Sequence, residues 1–215
     1  MPHRQNFPRG IYLITPDSPD ISSLLATLDT VLSADASGIV AVQYRAKTLP
    51  PTQSHARAQA VLELCRRHDV PMLVNDSLDL ALAIGADGVH LGMGDGSLAE
   101  ARARLGAEAV VGATCHADLA RAHAALAEGA SYVAFGAMYP SSSKPRAARA
   151  PLALLGEARA ALPAGVPIAA IGGIDVHNAA AVARAGADWL CVISAVFDAP
   201  DPAAAVRALA VAFAP

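Results

Sequence analysis

Three times in this chain a glycine opens the same short phrase and an apolar run follows it: Gly85-Ala86-Asp87-Gly88-Val89, Gly129-Ala130-Ser131-Tyr132-Val133 and Gly186-Ala187-Asp188-Trp189-Leu190. A glycine that closes a helix can take the left-handed conformation that a Cβ disfavours, and a short turn then feeds a strand. The intervals between the phrases differ, so they mark recurring helix-to-strand joints, not the fixed period of a solenoid. Around them, runs rich in Val and Ile alternate with longer alanine-rich segments. That rhythm predicts strand-then-helix units and hence a parallel sheet.

The expected strands are Ile11–Thr15, Ile39–Arg45, Met72–Asn75, Gly88–Leu91, Val110–Thr114, Tyr132–Gly136, Ile168–Gly172 and Leu190–Ser194. The expected helices are Ile21–Ser33, Thr52–His68, Leu78–Ile84, Leu98–Leu105, Asp118–Glu128, Leu152–Leu162, Val176–Arg184 and Ala203–Phe213. The pattern is clearest at Thr52–His68, where Ala56, Ala60, Leu64 and Ala58, Val61, Cys65 put small apolar groups on one face. A chain of 215 residues accommodates one α/β domain of the (β/α)8, or TIM-barrel, type, near the lower end of that fold's range of about 200 residues upward. Residues 1–215 read as that single domain, with no linker and no low-complexity tail. Apolar types at 54% against 16% charged argue for a large buried core and not for disorder.

An open doubly wound sheet could hold the same eight units, and strand count does not separate the two. The placement of polar residues does. They fall at the C-terminal ends of six of the eight expected strands, and a closed barrel is what brings that many ends around one pocket.

Gln43, Arg45 and Lys47 finish the second strand two apart, so they share one face while Val42, Tyr44 and Ala46 share the other. Two cations and an amide directed into a barrel mouth make an anion site. A solvated strand end is the alternative, and Ile39 and Val40 oppose it by placing the strand's start in the core. Asn75-Asp76 ends the third strand, and Asp95 sits in the glycine-rich turn Gly92–Gly96 after the fourth. Magnesium favours a few such carboxylates together with phosphate oxygens and water. Taken singly, Asp76 reads equally as a helix cap and Asp95 as a turn residue.

After the sixth strand, Tyr139-Pro140-Ser141-Ser142-Ser143-Lys144-Pro145 offers hydroxyls and one lysine to phosphate oxygens, although such loops are often plain connectors. Ile171-Gly172-Gly173-Ile174 and Val192-Ile193-Ser194-Ala195 follow strands seven and eight, the usual phosphate-holding loops of this barrel; a tight turn without a ligand is the alternative for Gly172-Gly173. His90, Thr114, Cys115 and His116 also lie at strand ends and read as packed or pocket-lining residues, because a metal site on the two histidines lacks a third ligand and Cys115 lacks an evident base. No nucleophile elbow, Walker loop or acid–base pair is present. Two separate anion sites, one with a metal, suit a transferase with a diphosphate leaving group and a phosphorylated acceptor.

Partners are narrowed by charge. Lys plus Arg total 16 against 19 Asp plus Glu, so no positive excess serves nucleic acid or an anionic membrane. Cys65, Cys115 and Cys191 are odd in number and without C-x-x-C spacing, which fits buried thiols in a reducing cytosol. The apolar run Ile11–Ile14 is cut by Pro16 and Asp17, and no apolar stretch approaches the ~20 residues of a membrane span. The expectation is a soluble, cytoplasmic protein with two phosphorylated small-molecule substrates; a homo-oligomer is compatible with it.

Tyr12-Leu13-Ile14-Thr15, Gln43-x-Arg45-x-Lys47, Asn75-Asp76, His90-Leu91-Gly92-x-x-Asp95, Pro140-Ser141-x-Ser143-Lys144, Ile171-Gly172-Gly173-Ile174 and Ile193-Ser194-Ala195 stand in the order of the thiamine-phosphate synthase family, which the chain resembles along nearly its whole length. The resemblance implies that Gln43, Tyr44, Arg45, Ala46, Lys47, Asn75, Thr114 and Lys144 bind an aminopyrimidine methyl diphosphate, with Arg45, Lys47 and Lys144 catalytic and Asp76 and Asp95 on Mg2+. It implies that Ser141, Ser142, Ser143, Gly173, Ile193 and Ser194 hold a thiazole phosphate. It further implies loss of diphosphate first and capture of the pyrimidine cation by the thiazole nitrogen, with no protein nucleophile. The chain departs from the family at Met93 (usually glutamine), Thr114 (serine), Ala137 (proline) and the sixth-loop serines (threonines). Met93 cannot donate a hydrogen bond, which bears on the pyrimidine pocket's wall and not on the metal site. A related thiazole tautomerase, with His116 transferring protons, and a non-catalytic sensor of thiamine precursors are the competing readings.

Overall fold

The computed structural model describes residues 7–18, 20–34, 38–141 and 148–214. Its strands are β1 Gly10–Ile14, β2 Ile39–Tyr44, β3 Met72–Asn75, β4 Gly88–Leu91, β5 Val110–His116, β6 Tyr132–Gly136, β7 Ile168–Ile171 and β8 Trp189–Val192. They pair in sequence order as a closed barrel, and β1 joins β8 in parallel through Ile11 opposite Leu190. The expected (β/α)8 architecture is the one found.

The helices are α1 Ile21–Leu32, α2 Pro51–Arg67, α3 Leu78–Ile84, α4 Leu98–Leu105, α5 Leu119–Ala127, α6 Ala153–Ala161, α7 Ala179–Arg184, α8 Ser194–Phe197 and α9 Pro202–Ala210, with a 3-10 turn at Val211–Phe213. Side-chain caps start several of them. Asp20 accepts from Ser22 N at 2.9 Å at α1, and Ser77 and Ser97 accept from Leu80 N and Glu100 N at α3 and α4, both at 3.2 Å. Each such cap stabilises its helix by about 1 kcal/mol.

Two of the shifts from the expected bounds have a visible cause. The segment Val176–Asn178 is not helical, because Asp175 accepts from the backbone of His177 and Asn178 and holds a turn that delays α7 to Ala179. Ser194 lies outside β8: the chain turns at Ile193 (φ −124°, ψ −86°), and Ser194 opens the short α8.

The glycine phrase proves to be a clip between neighbouring strands. Gly85 takes φ 64° to end α3, and the third residue of each phrase then reaches the start of the adjoining strand. Asp87 accepts from Met72 N at 2.8 Å, Ser131 from Val111 N at 3.1 Å, and Asp188 from Ile168 N at 2.8 Å. Each bond satisfies a backbone donor where the ladder has barely begun.

Apolar side chains form two shells. The outer one lies between strands and helices and includes Leu28, Leu62, Val111, Phe135, Leu155 and Leu190. The inner shell fills the barrel's lower half with Tyr12, Leu73, Tyr132, Ala169 and Trp189. Trp189 packs against Tyr132 and Tyr12 with ring centroids 4.7 and 5.6 Å apart, and Phe7 closes the barrel's foot edge-on at 5.3 Å. The indole N–H donates to Pro8 O at 2.9 Å, so even the plug's polar atom is satisfied. Gly112 makes this packing feasible, since a Cβ there would fall on the Tyr132 ring.

Candidate active site

The open half of the barrel, at the C-terminal ends of the strands, holds a cavity of about 420 Å³. That volume lies within the range of small-molecule sites, ~300–1,000 Å³. Of the residues expected there, Gln43, Arg45, Lys47, Asn75, Asp76, Asp95, Thr114, Ser141, Gly173, Ile193 and Ser194 all line it. Ser142, Ser143 and Lys144 lie outside the described residues.

Tyr44 and Ala46 do not line the cavity. The strand's alternation sends them outward, where the Tyr44 hydroxyl donates to Ser54 O on α2 at 3.3 Å and Ala46 packs against the outer shell.

The wall at β2 is held by the chain that leaves β1. Arg45 N donates to Thr15 Oγ1 at 2.9 Å, and the same hydroxyl donates to Arg45 O at 3.3 Å, with Thr15 fully buried. Asp17 accepts from Lys47 N at 3.3 Å and from the Thr48 hydroxyl at 3.1 Å. The Arg45 and Lys47 side chains therefore leave from a fixed backbone.

Beside them, the loops after β3 and β4 bring two carboxylates together. Asp76 takes a left-handed φ of 65° while its N–H donates to His90 O at 2.9 Å. Its carboxylate pairs with Lys47 Nζ at 3.2 Å and neighbours the Asp95 carboxyl. Asp95 also accepts from Gly92 N at 2.8 Å, which folds the glycine-rich turn over the rim. Loss of hydration at the cavity wall, and next the neighbouring Asp76 carboxyl, raise the Asp95 carboxyl above its ordinary range. Met93 lines the same rim and is 65% exposed.

On the far side, β7 supports the start of the sixth loop. Met138 N donates to Ile171 O and Tyr139 N to Gly172 O, both at 2.9 Å. Any Cβ on Gly172 would sit 2.6 Å from that of Ala137, and one on Gly173 would sit 2.8 Å from that of Tyr139. The Gly172-Gly173 pair is thus required by close approach of two loops, apart from any ligand.

The cavity floor is polar in a way that the sequence did not disclose. Gln43 Nε2 donates to Tyr12 Oη at 2.8 Å, Tyr12 Oη lies 2.9 Å from Tyr132 Oη, Tyr132 Oη 2.7 Å from His90 Nδ1, and His90 Nε2 2.8 Å from Thr114 Oγ1. Burial pushes both tyrosine hydroxyls above the ordinary phenol range, so they remain neutral. Sequence reasoning placed His90 and Thr114 at strand ends but missed Thr15, Tyr12 and Tyr132 as supports; the signal available was their place on the inward face or at the end of β1 and β6.

His116 lines the mouth in a left-handed conformation, φ 53°. Cys65, Cys115 and Cys191 are buried and unpaired, and burial pushes the Cys115 thiol up to about 11 and that of Cys65 to about 12, which leaves them unreactive. Among the described residues, no group of three or more His, Cys, Asp or Glu side chains converges as a metal cage, and no helix is long and apolar enough to cross a membrane.

The family profile described as "Thiamine monophosphate synthase" matches residues 11–196. A thiamine-phosphate synthase of Azoarcus sp. (strain BH72) is 51% identical over 206 residues, covering 96% of this chain and 98% of that protein. One of Thioalkalivibrio sulfidiphilus is 52% identical over 206 residues, covering 95% of each. Among solved structures, a thiamine phosphate pyrophosphorylase of Pyrococcus furiosus superposes with a TM-score of 0.81 at 30% identity, over 97% of this chain and 96% of that one.

Proposed function

The chain belongs to the thiamine monophosphate synthase family, and on that premise we propose how the residues of its barrel mouth carry out the synthase reaction. It is a transferase of thiamine biosynthesis that joins an aminopyrimidine methyl diphosphate to a thiazole phosphate, giving thiamine phosphate and diphosphate. The observation that carries the residue assignment is the meeting of Arg45, Lys47, Asp76 and Asp95 on one cavity wall.

Asp76 and Asp95 suit a magnesium ion. Two neighbouring carboxylates repel each other, and a divalent cation would offset their charge, with diphosphate oxygens and water as its other ligands. When bound, the ion supplies positive charge to the departing diphosphate. Arg45, Lys47 and, by its place in the motif, Lys144 bind the same oxygens and stabilise charge that grows as the C–O bond breaks. Single donors of this kind contribute about 10² to 10³ in rate. Gln43, Asn75 and Thr114 receive the pyrimidine ring, while Ser141, Ser142, Ser143, Gly173, Ile193 and Ser194 hold the thiazole phosphate and aim the ring nitrogen at the carbon that loses its oxygen. The cavity's apolar wall of Ile14, Ala134, Ile171 and Val192 keeps competing water away from that carbon. The three buried, unpaired thiols support a cytoplasmic setting.

Purified protein mixed with the pyrimidine diphosphate, the thiazole phosphate and Mg2+ should release thiamine phosphate and diphosphate, and Asp95→Ala should remove most of this synthesis. Unaltered turnover of that variant at limiting magnesium overturns the metal assignment. Tautomerisation of the thiazole phosphate alone, without the diphosphate, would point to His116 and the tautomerase reading.

A further inference from the structure

The floor of the cavity is a chain of five polar side chains drawn from β1, β2, β4, β5 and β6, and its ends, Gln43 and Thr114, both open into the mouth. Each middle member has few protons to give. Gln43 donates through Nε2, so Tyr12 Oη accepts there and its single hydrogen goes to Tyr132 Oη. Tyr132, having accepted, donates its own hydrogen to His90 Nδ1. A neutral imidazole that accepts at Nδ1 carries its proton at Nε2, and that proton goes to Thr114 Oγ1. Were Tyr132 to donate to Tyr12 instead, the Tyr12 hydrogen would be left inside a fully buried aromatic cluster, a costly arrangement. With Gln43 donating from its end, this sense of donation leaves every hydrogen of the chain with an acceptor.

We infer that Tyr12, Tyr132 and His90 are positioning residues whose one-way hydrogen-bond chain fixes Gln43 as an acceptor and Thr114 as a donor toward the pyrimidine. The carboxamide nitrogen of Gln43 is engaged below, so its oxygen is the atom presented to the cavity. Thr114 accepts from His90, so its hydroxyl hydrogen is the one presented. An aminopyrimidine offers the complement, an exocyclic amine that donates and ring nitrogens that accept, whereas an oxo-pyrimidine offers an acceptor where the amine stood. The chain of buried hydroxyls therefore acts as a selector of the 4-amino ring over its 4-oxo analogue. The inference rests on the synthase reading of the same cavity and adds to it the source of ring selectivity.

Nitrogen NMR of histidine-labelled full-length protein tests the direction without any turnover. The His90 signal, identified by its absence in His90→Gln, should show a protonated Nε2 and a bare Nδ1, and Tyr132→Phe should abolish that fixed pattern. A protonated Nδ1 in the wild-type protein reverses the chain and overturns the inference. In kinetics, Tyr132→Phe should raise the KM for the aminopyrimidine diphosphate about tenfold, leave the KM for the thiazole phosphate within twofold, and lower the preference for the 4-amino over the 4-oxo diphosphate by tenfold or more. If Tyr132→Phe does not fold, Tyr12→Phe, which releases Gln43 directly, takes its place with the same expected loss of preference. A preference that survives in the variant that folds, or equal rises in both KM values, marks a merely structural chain and refutes the selector. A wild-type protein that makes no thiamine phosphate from either pyrimidine, while its His90 is protonated at Nε2, refutes the synthase reading and leaves the direction of the chain standing.

Discussion

Replacing Thr15 with valine exchanges a hydroxyl for a methyl of nearly equal volume and removes both hydrogen bonds to the Arg45 backbone, one of 2.9 Å and one of 3.3 Å. The shorter bond serves an N–H beside a fully buried side chain, and orphaning such a donor costs ~1–3 kcal/mol. The longer bond adds about 0.5 kcal/mol, and the gained methyl returns at most ~0.8 kcal/mol. The net loss is about 2 kcal/mol, which lowers the melting temperature by roughly 4–8 °C in a domain of this size. Arg45 also loses the clamp on its backbone. A displacement near 1 Å costs up to ~10² in rate, so kcat should fall by about tenfold to a hundredfold. Thr15→Ser is the control: it keeps the hydroxyl and sacrifices one buried methyl, about 1 kcal/mol, with kcat within twofold of wild type. Thermal unfolding and steady-state synthesis of thiamine phosphate on the three proteins decide the matter. If valine and serine slow the enzyme equally, or valine leaves kcat intact, the clamp does not position Arg45.

Gly112→Ala should destabilise the protein by about 1–3 kcal/mol in urea unfolding, because the new Cβ meets the Tyr132 ring in a filled barrel; an unchanged midpoint contradicts the packing described. Lys47→Met should alter stability by less than ~1 kcal/mol, since its pair with Asp76 is partly exposed, yet slow synthesis by about 10² to 10³ if the ammonium meets the diphosphate. Normal turnover in that variant removes Lys47 from the machinery.

The barrel was legible because apolar runs alternate with alanine-rich helices and three of the joints repeat one physical choice, an apolar run after a helix-ending glycine; β3 and β4 match their expected limits from Met72 to Leu91. The short α8 was not legible, since Ile193 continues the apolar run of β8 and only the backbone turn there ends the strand. Strand alternation set Gln43, Arg45 and Lys47 apart from Tyr44 and Ala46, and the coordinates place the two sets on opposite sides of β2. The contact between the Asp76 and Asp95 carboxyls depends on a left-handed residue at Asp76 and on the Gly92–Asp95 hydrogen bond, neither of which has a residue-level signature. The hydroxyl chain was hidden for a different reason. Tyr12 and Tyr132 are 120 positions apart, and their contact follows from barrel closure and strand stagger, which no local pattern encodes.

The aromatic foot of the barrel, with Trp189 beneath the two tyrosines and Phe7 beneath Trp189, makes the site a blind-ended cup. Whatever enters must leave by the same doorway, so the molecule seated deepest is trapped by whatever settles above it. Under the proposed assignment, with the pyrimidine on the polar floor and the thiazole above it, the newly joined product would occupy both berths at once. Thiamine phosphate held in the cup would then exclude either incoming partner until it has left by that doorway.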